Sequence, residues 1–387
     1  MKKKIVILGS TGSIGKNTIK IIKKDKKNFD IKLLSTNKNI SEIIKQSKEF
    51  NVKNIIVTDY RSFIKAKDKY KKLNINFFNS FTVINKLFKK KSIFYTMISI
   101  VGIDGLEPSL QLIKYSKNIG IVNKESIICG WDLIKNNLNK YKTKFYPIDS
   151  EHFSIFSLLN NNNRDIDKIF ITASGGPFLN YSISKFKKIT INNALKHPNW
   201  VMGKKISIDS STMMNKVFEV IEAKNIFELK YNQIKILTHP KSYVHSIITF
   251  KTGITKILLH DADMKIPIHN SIYFDQTKEI KCKPLDMKIL NNLQFKKVNY
   301  NKFPLVKLIN KLPERNSLYE TVLLTINDYF VSMFLKKKIS YNQLVRLIYK
   351  NSINQIFTKF RYKKAKSVKD IYKLRDYVSL KLDNLGI

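Results

Sequence analysis

A chain of 387 residues with 43% hydrophobic residues suits a globular protein of two or three domains and excludes a disordered one. The formal net charge is +42, but the basic residues are mostly lysine and are spread along the whole chain, which indicates compositional drift rather than a clustered nucleic-acid site with interleaved aromatics. The two cysteines, Cys129 and Cys282, form no C-x-x-C pair, so we expect a reducing compartment and neither a disulfide framework nor a thiolate metal site.

The N-terminus carries three lysines before the apolar run 5–8, an order that superficially matches a signal peptide. The run stops at Gly9, far short of the apolar region of such a peptide. No apolar run in the chain approaches the ~18 residues that a membrane-spanning helix needs. We therefore expect a cytoplasmic protein with no membrane partner.

Short apolar segments alternate with helical patterns up to residue 150 or so. Such alternation predicts a parallel, doubly wound sheet of the Rossmann-like α/β class. The predicted strands are residues 4–8, 31–34, 54–57, 92–100 and 119–122. The predicted helices between them run from the glycine loop to residue 24 and over residues 40–50.

The first motif is a glycine loop. Gly9, Gly12 and Gly15 follow the first strand directly and open the first helix. This spacing is a variant of the dinucleotide-binding fingerprint, in which glycines allow a tight turn and the helix N-terminus offers N–H donors to a pyrophosphate. A glycine turn without a ligand is the less favoured alternative.

The end of the second strand indicates which dinucleotide is bound. NAD-binding chains usually carry a carboxylate there for the ribose hydroxyls. This chain instead has hydroxyl, amide and lysine side chains at residues 35–39. These groups suit a 2′-phosphate, so the sequence favours NADPH over NADH.

A polar segment with Asn123, Lys124, Glu125 and Ser126 follows the last strand of this sheet. Ligands of doubly wound sheets bind at the carboxyl ends of the strands, so Lys124 there can contact a cofactor and the oxygens of a substrate. The segment can equally be a helix start, in which Glu125 complements the helix dipole. The residues alone leave these interpretations equal.

Three carboxylates form the candidate metal site. Asp149 and Glu151 are two residues apart, and in an extended segment such side chains point to the same side. Glu219 follows Asn215 and Lys216 at helical spacing. Carboxylates without Cys or His make a hard oxygen site that suits Mg²⁺ or Mn²⁺ better than zinc. Solvated surface acids are the alternative, which is disfavoured in a chain with only 29 acidic against 71 basic residues.

Hydroxyl groups recur in the second half of the chain. Ser174 begins a Ser-Gly-Gly-Pro turn whose backbone amides can form an anion nest. Residues 209–212 add hydroxyls just before Asn215 and Lys216, and together these groups can hold a phosphate monoester with Lys216 as the cation. The hydroxyl cluster can also cap a helix.

Residues 197–200 read His-Pro-Asn-Trp and follow a long polar stretch. Such a segment can form a lid in which Trp200 closes over a ligand, although a lone Trp is more often a core residue. A second metal site at Asp261, Asp263 and His269 is less favoured than ordinary turn chemistry.

The pattern changes near residue 150. Residues 168–172 predict a strand that ends at the Ser174 turn. Residues 234–237, 246–250 and 255–259 predict strands of a second, more antiparallel sheet, and the apolar spacing from residue 303 onward is helical. The sequence therefore predicts a doubly wound domain over 1–149, an α+β domain over 150–273, a linker over 274–298 and a small all-α domain over 299–387.

These motifs together resemble 1-deoxy-D-xylulose 5-phosphate reductoisomerase from end to end. They are ordered and jointly specific, as a lone glycine loop is not. The motifs are Gly9-Ser-Thr-Gly-Ser-Ile-Gly15, Ile100-Val-Gly102 with Gly105-Leu106, Asn123-Lys-Glu-Ser126, Pro147-Ile-Asp-Ser-Glu-His152, Ser174-Gly-Gly-Pro-Phe178, His197-Pro-Asn-Trp200 and residues 205–219.

The resemblance implies an oxidoreductase of isoprenoid precursor biosynthesis in the non-mevalonate pathway. The activity implied is NADPH- and divalent-metal-dependent rearrangement and reduction of 1-deoxy-D-xylulose 5-phosphate, a small phosphorylated ketose, to 2-C-methyl-D-erythritol 4-phosphate. It also implies a homodimer that forms through the second domain, with no nucleic-acid partner.

The resemblance assigns expected roles at matched positions. The catalytic residues implied are Lys124, Asp149, Glu151, His197 and Glu219. The NADPH contacts implied are Thr11, Gly12, Ser13, Ile14, Asn37, Lys38, Asn39, Asn123, Glu125 and Gly203. The ligands implied for Mg²⁺ or Mn²⁺, with Co²⁺ as a further option, are Asp149, Glu151 and Glu219.

The resemblance implies two groups of substrate contacts. It also implies a flap at residues 174–204. The carbon skeleton and hydroxyls are expected to contact Lys124, Ser150, Glu151, His197, Asn215 and Glu219. The phosphate is expected to contact Ser174, Ser210, Asn215 and Lys216. The closing flap is expected to contain Trp200 and Met202.

Three departures from the family pattern have consequences. Asn37 stands where the family usually has glycine, which questions a backbone contact to the adenosine phosphate. Val217 replaces a usual glycine, which predicts a shift of the helix that carries Glu219. The family's Asn-Ala-Ala-Asn-Glu pattern is largely lost at residues 324–328, which questions stability more than chemistry.

Two other functions remain as alternatives. A plain NADP-dependent dehydrogenase would need no cluster of three metal-directed carboxylates. A nucleic-acid binder driven by charge would need clustered Lys and Arg with interleaved aromatics, and the sequence shows no such cluster.

Overall fold

The computed structural model describes residues 2–159, 165–200 and 202–385, which divide into two units. The first unit takes residues 1–126, 132–153 and 263–281, and the second takes residues 127–131, 154–262 and 282–387. Val201, inside the predicted flap, lies outside the described residues. Residue 1 of the predicted first domain, residues 160–164 of the second and residues 386–387 of the C-terminal domain also lie outside them.

The first unit contains a seven-stranded, wholly parallel sheet in the order β4-β3-β2-β1-β5-β6-β7. Its strands are β1 (Lys3–Leu8), β2 (Phe29–Thr36), β3 (Asn54–Val57), β4 (Asn76–Phe78), β5 (Ile93–Ile98), β6 (Ser116–Ile121) and β7 (Lys144–Pro147). The strand order reverses between β1 and β5, which is the switch point where doubly wound sheets bind ligands. The predicted fold class is confirmed.

The burial of the central strand β1 is typical of a parallel sheet that helices cover on both faces. Residues 5–8 are an unbroken apolar run and are fully buried, as expected where helices pack on both sides of a sheet. The α-helices that start in this unit are α1 (Ser13–Lys23), α2 (Ile40–Phe50), α3 (Tyr60–Lys69), α4 (Ile84–Leu87), α5 (Leu106–Ile113), α6 (Lys124–Tyr141), α7 (Ser150–Leu159) and, far later in the chain, α11 (Lys265–Ile272).

Helix α11 returns to the first unit and packs against α1. Hydrogen bonds of two side chains, Ser271 on α11 and Tyr273 just after it, anchor this helix. Ser271 Oγ accepts from the Tyr95 hydroxyl at 2.8 Å, and the Tyr273 hydroxyl donates to Asp25 Oδ2 at 3.1 Å. These contacts are long-range, which is why local periodicity did not predict them.

The second unit is built on a mixed five-stranded sheet in the order β11-β10-β8-β9-β12. Only β8 and β9 run parallel, so the expected, more antiparallel sheet is confirmed. The strands are β8 (Ile166–Ala173), β9 (Ile234–Thr238), β10 (Val244–Phe250), β11 (Thr255–Leu259) and β12 (Lys296–Lys297). Strand β12 and the short helix α12 (Met287–Asn291) lie inside the predicted linker.

The remaining helices of the second unit include those that carry the candidate site. They are α8 (Ile191–Leu195), α9 (Lys204–Ser211), α10 (Met214–Phe227), α13 (Tyr319–Leu335), α14 (Tyr341–Ser352), α15 (Gln355–Thr358) and α16 (Val368–Asp383). Short 3₁₀ segments occupy Ile183–Lys188, Tyr231–Gln233, Pro304–Lys311 and Lys359–Tyr362. The predicted helical pattern after residue 303 is confirmed.

Helix α10 is regular over its whole length, and Val217 is fully buried within it. The substitution of valine for glycine is therefore accommodated without interrupting the helix. None of the helices in the described part of the chain combines the length and the apolarity that crossing a membrane requires.

Candidate active site

The glycine loop joins β1 to α1 in tight packing. A Cβ on Gly15 would lie 2.4 Å from the carbonyl oxygen of Gly9, so no larger residue fits there. Helix α1 begins after Gly12, and no side chain caps it. The N–H groups of its first turn are therefore oriented for an anionic ligand, as a pyrophosphate site requires.

The predicted adenosine end carries Lys38, an exposed cation. The Lys38 side chain is 73% exposed, and its Nζ lies 4.0 Å from Asp59 Oδ2. Asn37 donates to Thr58 Oγ1 at 2.8 Å without a left-handed backbone, so the usual glycine is not required there. Asn39 caps α2 by accepting from the Glu42 amide. The Lys38 ammonium group is thus open to solvent, as the predicted contact with a 2′-phosphate requires.

The segment after β6 both begins a helix and buries polar groups. Asn123 is the N-cap residue of α6, and its side chain donates to Gly102 O at 2.8 Å and to Ser126 Oγ at 2.6 Å. Lys124 and Glu125 follow in the first turn, and each is only 6% exposed. The helix-start interpretation is therefore correct, and the burial of both charged side chains is what a ligand site would also need.

The Asp149 carboxylate contacts several neighbouring polar groups within the first unit. Its Oδ2 lies 3.3 Å from Lys124 Nζ, and its Oδ1 lies 3.1 Å from His152 Nδ1. The Asp149 Oδ1 also accepts from the Glu151 amide at 3.2 Å. Ser150 donates from its hydroxyl to Glu151 Oε2 at 2.5 Å. These contacts bring together two carboxylates, one lysine and one histidine within the first unit.

The predicted geometry of Asp149 and Glu151 was wrong. They are not alternate residues of an extended segment, because α7 begins at Ser150 and places Glu151 in its first turn. The cause is local: the Asp149 carboxylate accepts an N–H at the start of α7, and a helix N-terminus favours negative charge.

His152 was not predicted as a site residue. It is fully buried, and its ring nitrogen bonds the carboxylate of Asp149. The contact restricts the orientation of the Asp149 carboxylate. The spacing of three residues between an acid and a histidine at a helix start was the available signal.

Helix α10 carries the predicted cluster of Asn215, Lys216 and Glu219 on one face. The Glu219 side chain is 1% exposed; Asn215 Nδ2 donates to its Oε1, and Lys216 Nζ pairs with its Oε2. These contacts have the (i, i+4) and (i, i+3) spacing of a helix, so the predicted helical spacing is confirmed. A buried carboxylate needs such partners to offset its desolvation.

His197 links the two ends of the predicted flap, because it contacts the Ser174 turn. Its Nδ1 accepts from the amides of Asn199 at 3.2 Å and Trp200 at 2.9 Å. Because Nδ1 accepts, the proton of the neutral ring is on Nε2, which lies 3.0 Å from Ser174 Oγ and donates to it. Burial, reinforced by the charge of Lys216, lowers the pKa of His197 to about 4.

The flap segment is also tied to the loop after β9. Asn199 Nδ2 donates to Pro240 O at 2.7 Å and to Ser242 Oγ at 2.8 Å. Trp200 is partly exposed, and its ring stands edge-on to His245 with centroids 6.3 Å apart. Ser242 and His245 were not predicted as site residues, and only the folded chain brings them to this segment.

Ser210 lies in the last turn of α9, whose N-cap residue is Gly203. Gly176 has a left-handed backbone with φ of +64°, and a Cβ there would lie 2.7 Å from Ser210 O. The Ser174 turn and Ser210 are therefore neighbours, as a shared anion site requires. By contrast, Asp263 accepts from the Lys265 amide at 2.9 Å, which is the turn chemistry favoured over a second metal site.

We expect His197 to stay neutral well below the usual range of histidine. The pKa is lowered from 6.5 in the unfolded chain to about 4 in the folded chain, so the unfolded chain binds the extra proton first. The stability that depends on neutral His197 is therefore present above pH 6.5 and is lost as the pH falls toward about 4. An NMR titration of the ring measures this, and Lys216→Ala should raise the pKa. Titration near 6.5 in the unmodified chain would contradict the buried, neutral ring.

Family models match three stretches of the chain. The model described as 1-deoxy-D-xylulose 5-phosphate reductoisomerase matches residues 5–130. The model of the 1-deoxy-D-xylulose 5-phosphate reductoisomerase C-terminal domain matches residues 145–227. A further DXP reductoisomerase C-terminal domain model matches residues 259–378.

Named relatives match over their whole length. The 1-deoxy-D-xylulose 5-phosphate reductoisomerase of Pelagibacter ubique is 53% identical over 387 residues, with 100% of both chains covered. The enzyme of that name from Clostridium tetani is 36% identical over 372 residues, covering 95% of this chain and 96% of that one.

Solved structures match equally broadly. A DOX-P reductoisomerase in complex with NADPH, fosmidomycin and magnesium superposes with a TM-score of 0.90 at 28% identity, covering 98% of this chain and 97% of that one. The Zymomonas mobilis 1-deoxy-D-xylulose 5-phosphate reductoisomerase in complex with NADPH gives a TM-score of 0.88 at 27% identity, covering 100% and 99%.

Proposed function

This chain belongs to the 1-deoxy-D-xylulose 5-phosphate reductoisomerase family, and we propose that the side chains described above perform the chemistry of that family at the matched positions. The protein is an NADPH- and metal-dependent enzyme that converts 1-deoxy-D-xylulose 5-phosphate to 2-C-methyl-D-erythritol 4-phosphate. The observation that carries this conclusion is the 53% identity over 100% of both chains, because it spans every element that holds a candidate residue.

Asp149, Glu151 and Glu219 are the proposed ligands of Mg²⁺. Their carboxylate oxygens form the hard donor set that this ion prefers. A bound ion supplies Lewis-acid polarisation of the substrate oxygens. Lys124 and His152 support this proposal, since both hold the Asp149 carboxylate in place.

NADPH is proposed to bind along the first unit. NADPH supplies the hydride that reduces the rearranged aldehyde. The uncapped start of α1, with Thr11, Gly12, Ser13 and Ile14, would hold the pyrophosphate, and exposed Lys38 would attract the 2′-phosphate. The remaining proposed contacts are Asn37, Asn39, Asn123, Glu125 and Gly203.

The substrate phosphate is proposed to lie between two segments of the second unit. The Ser174 turn and Ser210 provide hydroxyl and amide donors, and Lys216 on α10 provides a cation, with Asn215 beside it. Binding of this remote phosphate supplies energy that can be used to close the site and exclude water from the reacting carbons. Trp200 and Met202 are the proposed closing side chains.

The reacting end of the substrate is proposed to contact three donors and acceptors. Lys124 would donate to a substrate oxygen from its buried position, while Ser150 would bond a hydroxyl. His197, held as the neutral ring with a proton on Nε2, would donate rather than carry charge. The protein thus orients the carbon skeleton for rearrangement before reduction.

We also propose a homodimer. Strand β11 is an edge strand on which Ile257 is 46% exposed, and Ile254, which immediately precedes the strand, is 58% exposed. An edge with exposed aliphatic side chains is a surface for pairing with a second copy. Light scattering at micromolar concentration measures this, and Ile257→Lys should weaken the dimer.

Three further features of the family remain proposals for this chain. Mn²⁺ is proposed as an alternative ion, because it also prefers oxygen ligands. A cytoplasmic location is supported by the cysteine composition alone. The division into domains over 1–149, 150–273 and 299–387 is supported by the change from a parallel to a mixed sheet near residue 150.

The decisive assay is NADPH oxidation on 1-deoxy-D-xylulose 5-phosphate with and without metal. We expect turnover with Mg²⁺, none in EDTA, recovery on adding Mg²⁺ or Mn²⁺, and weaker activity with NADH. A plain NADP-dependent dehydrogenase would retain turnover in EDTA, and that result would contradict the proposed metal site.

A further inference from the structure

We propose that Asn327 on α13 is a positioning residue for the phosphate end of the substrate site. It acts through Asp209, the residue before Ser210, and it is assisted by Tyr341 on α14. The inference rests on the proposed function, since it takes Ser210 and Lys216 as the groups that bind the phosphate.

The contact between Asn327 and Asp209 is fully buried. Asn327 Nδ2 donates to Asp209 Oδ1 at 2.8 Å, and the two side chains are 0% and 2% exposed. The other oxygen of Asp209 lies 3.4 Å from Lys205 Nζ, one turn earlier on α9. An amide and a cation therefore fix the Asp209 carboxylate from two sides, and a bond in a dry setting is costly to lose.

A second buried bond holds the residue after Ser210. Tyr341 donates from its hydroxyl to Ser211 O at 2.7 Å. Burial raises the pKa of Tyr341, so this hydroxyl stays protonated and remains a donor. Helices α13 and α14 thus bond Asp209 and Ser211, the residues on either side of Ser210.

These bonds hold the turn between α9 and α10, and that turn fixes the positions of the two proposed phosphate-binding residues, Ser210 and Lys216. Met213 joins α9 to α10 with a left-handed backbone, φ of 63°, which is unfavourable for a residue other than glycine. Its amide donates to Ser210 O at 3.2 Å. Ser210 before this turn and Lys216 after it keep their spacing only while the turn is held.

The chemistry of an amide matters at position 327. A carboxylate there would face the Asp209 carboxylate, and two like charges at that separation cannot both remain ionised. A leucine would fill the same volume but donate nothing. A residue that served only packing would tolerate leucine, whereas a positioning donor would not.

The test compares Asn327→Leu, Asn327→Asp and Tyr341→Phe with a matched control, Asn351→Leu. Asn351 is also a buried amide, but its side chain donates to Leu347 of its own helix. We expect the three test variants to raise the KM for 1-deoxy-D-xylulose 5-phosphate by roughly 10-fold, the effect of one lost buried hydrogen bond. The KM for NADPH should stay unchanged.

Two outcomes separate positioning from structural support. Lowering the pH should reduce the excess substrate KM of Asn327→Asp relative to the unmodified chain, because a shared proton restores a donor between the two carboxyls. Loss of thermal stability in all four variants, with no difference in substrate KM between Asn327→Leu and Asn351→Leu, would overturn the proposal.

A binding measurement separates this proposal from the proposed function. If the unmodified chain fails to turn over the substrate, the function is wrong, and calorimetry with inorganic phosphate still tests the positioning role. Asn327→Leu should then weaken phosphate binding in the same direction as Lys216→Ala. Binding equal to that of the unmodified chain would overturn the proposal.

Discussion

Replacing Glu219 by glutamine should abolish metal-dependent turnover while leaving NADPH binding near normal. Glu219 is a buried carboxylate on α10 and the only proposed metal ligand in the second unit. Glutamine keeps the shape but removes the charge that attracts a divalent ion. We expect kcat/KM to fall by about 10³-fold, because losing one charged ligand removes several kcal/mol of transition-state stabilisation.

The measurement for Glu219→Gln is turnover over a range of Mg²⁺ concentrations, together with the dissociation constant of NADPH from its fluorescence. Glu320→Gln is the matched control, since Glu320 is a buried carboxyl on α13 that accepts from Ser317. Burial raises the pKa of Glu320 to about 7, so the amide should be tolerated there. Equal loss of metal-dependent turnover and NADPH binding in Glu219→Gln would mean that Glu219 supports the helix instead.

Replacing Lys216 by alanine should raise the KM for the phosphorylated substrate by about 10²-fold, since a charge-assisted bond to a phosphate contributes about 3 kcal/mol. Lys216 Nζ pairs with Glu219 in this structure, so the lysine is already directed along the face of α10 that carries the site. The KM for NADPH should not change, because all the proposed cofactor contacts except Gly203 lie in the first unit, whereas Lys216 lies in the second.

Steady-state kinetics with both substrates varied measures the effect of Lys216→Ala. Lys224→Ala is the matched control, because Lys224 is also a buried lysine on α10 but pairs with Asn316. An unchanged KM for the phosphorylated substrate would remove Lys216 from the phosphate site. A higher pKa of His197 in Lys216→Ala would independently show that the two side chains interact.

Local patterns predicted several elements with correct bounds. Helix α2 and strands β3 and β11 begin and end where their apolar periodicity does. These segments carry their own signals, namely a short aliphatic run that follows a glycine turn in β11, a buried apolar run in β3 and a capped amphipathic helix in α2.

The elements that the sequence predicts incorrectly or not at all have different physical causes. The sequence predicts an extended segment at the start of α7, because the Asp149–Glu151 spacing suits a strand as well as a helix start. Strand β12 has only two residues and exists because β9 offers an unpaired edge. Helix α11 is placed by contacts with residues that precede it by more than 170 positions.

The amino-acid sequence alone determined the doubly wound fold, and it predicted NADPH and the metal-directed carboxylates, because glycine spacing, strand endings and hard carboxylate donors are local properties. Only the tertiary structure decided which groups support them. His152 behind Asp149, the neutral ring of His197 and the bond from Asn327 to Asp209 join residues through burial and hydrogen-bond geometry. The spacing of Asp149 and His152 is a local signal, but the burial of these groups and the bond between Asn327 and Asp209 arise from packing between segments that are distant in the sequence.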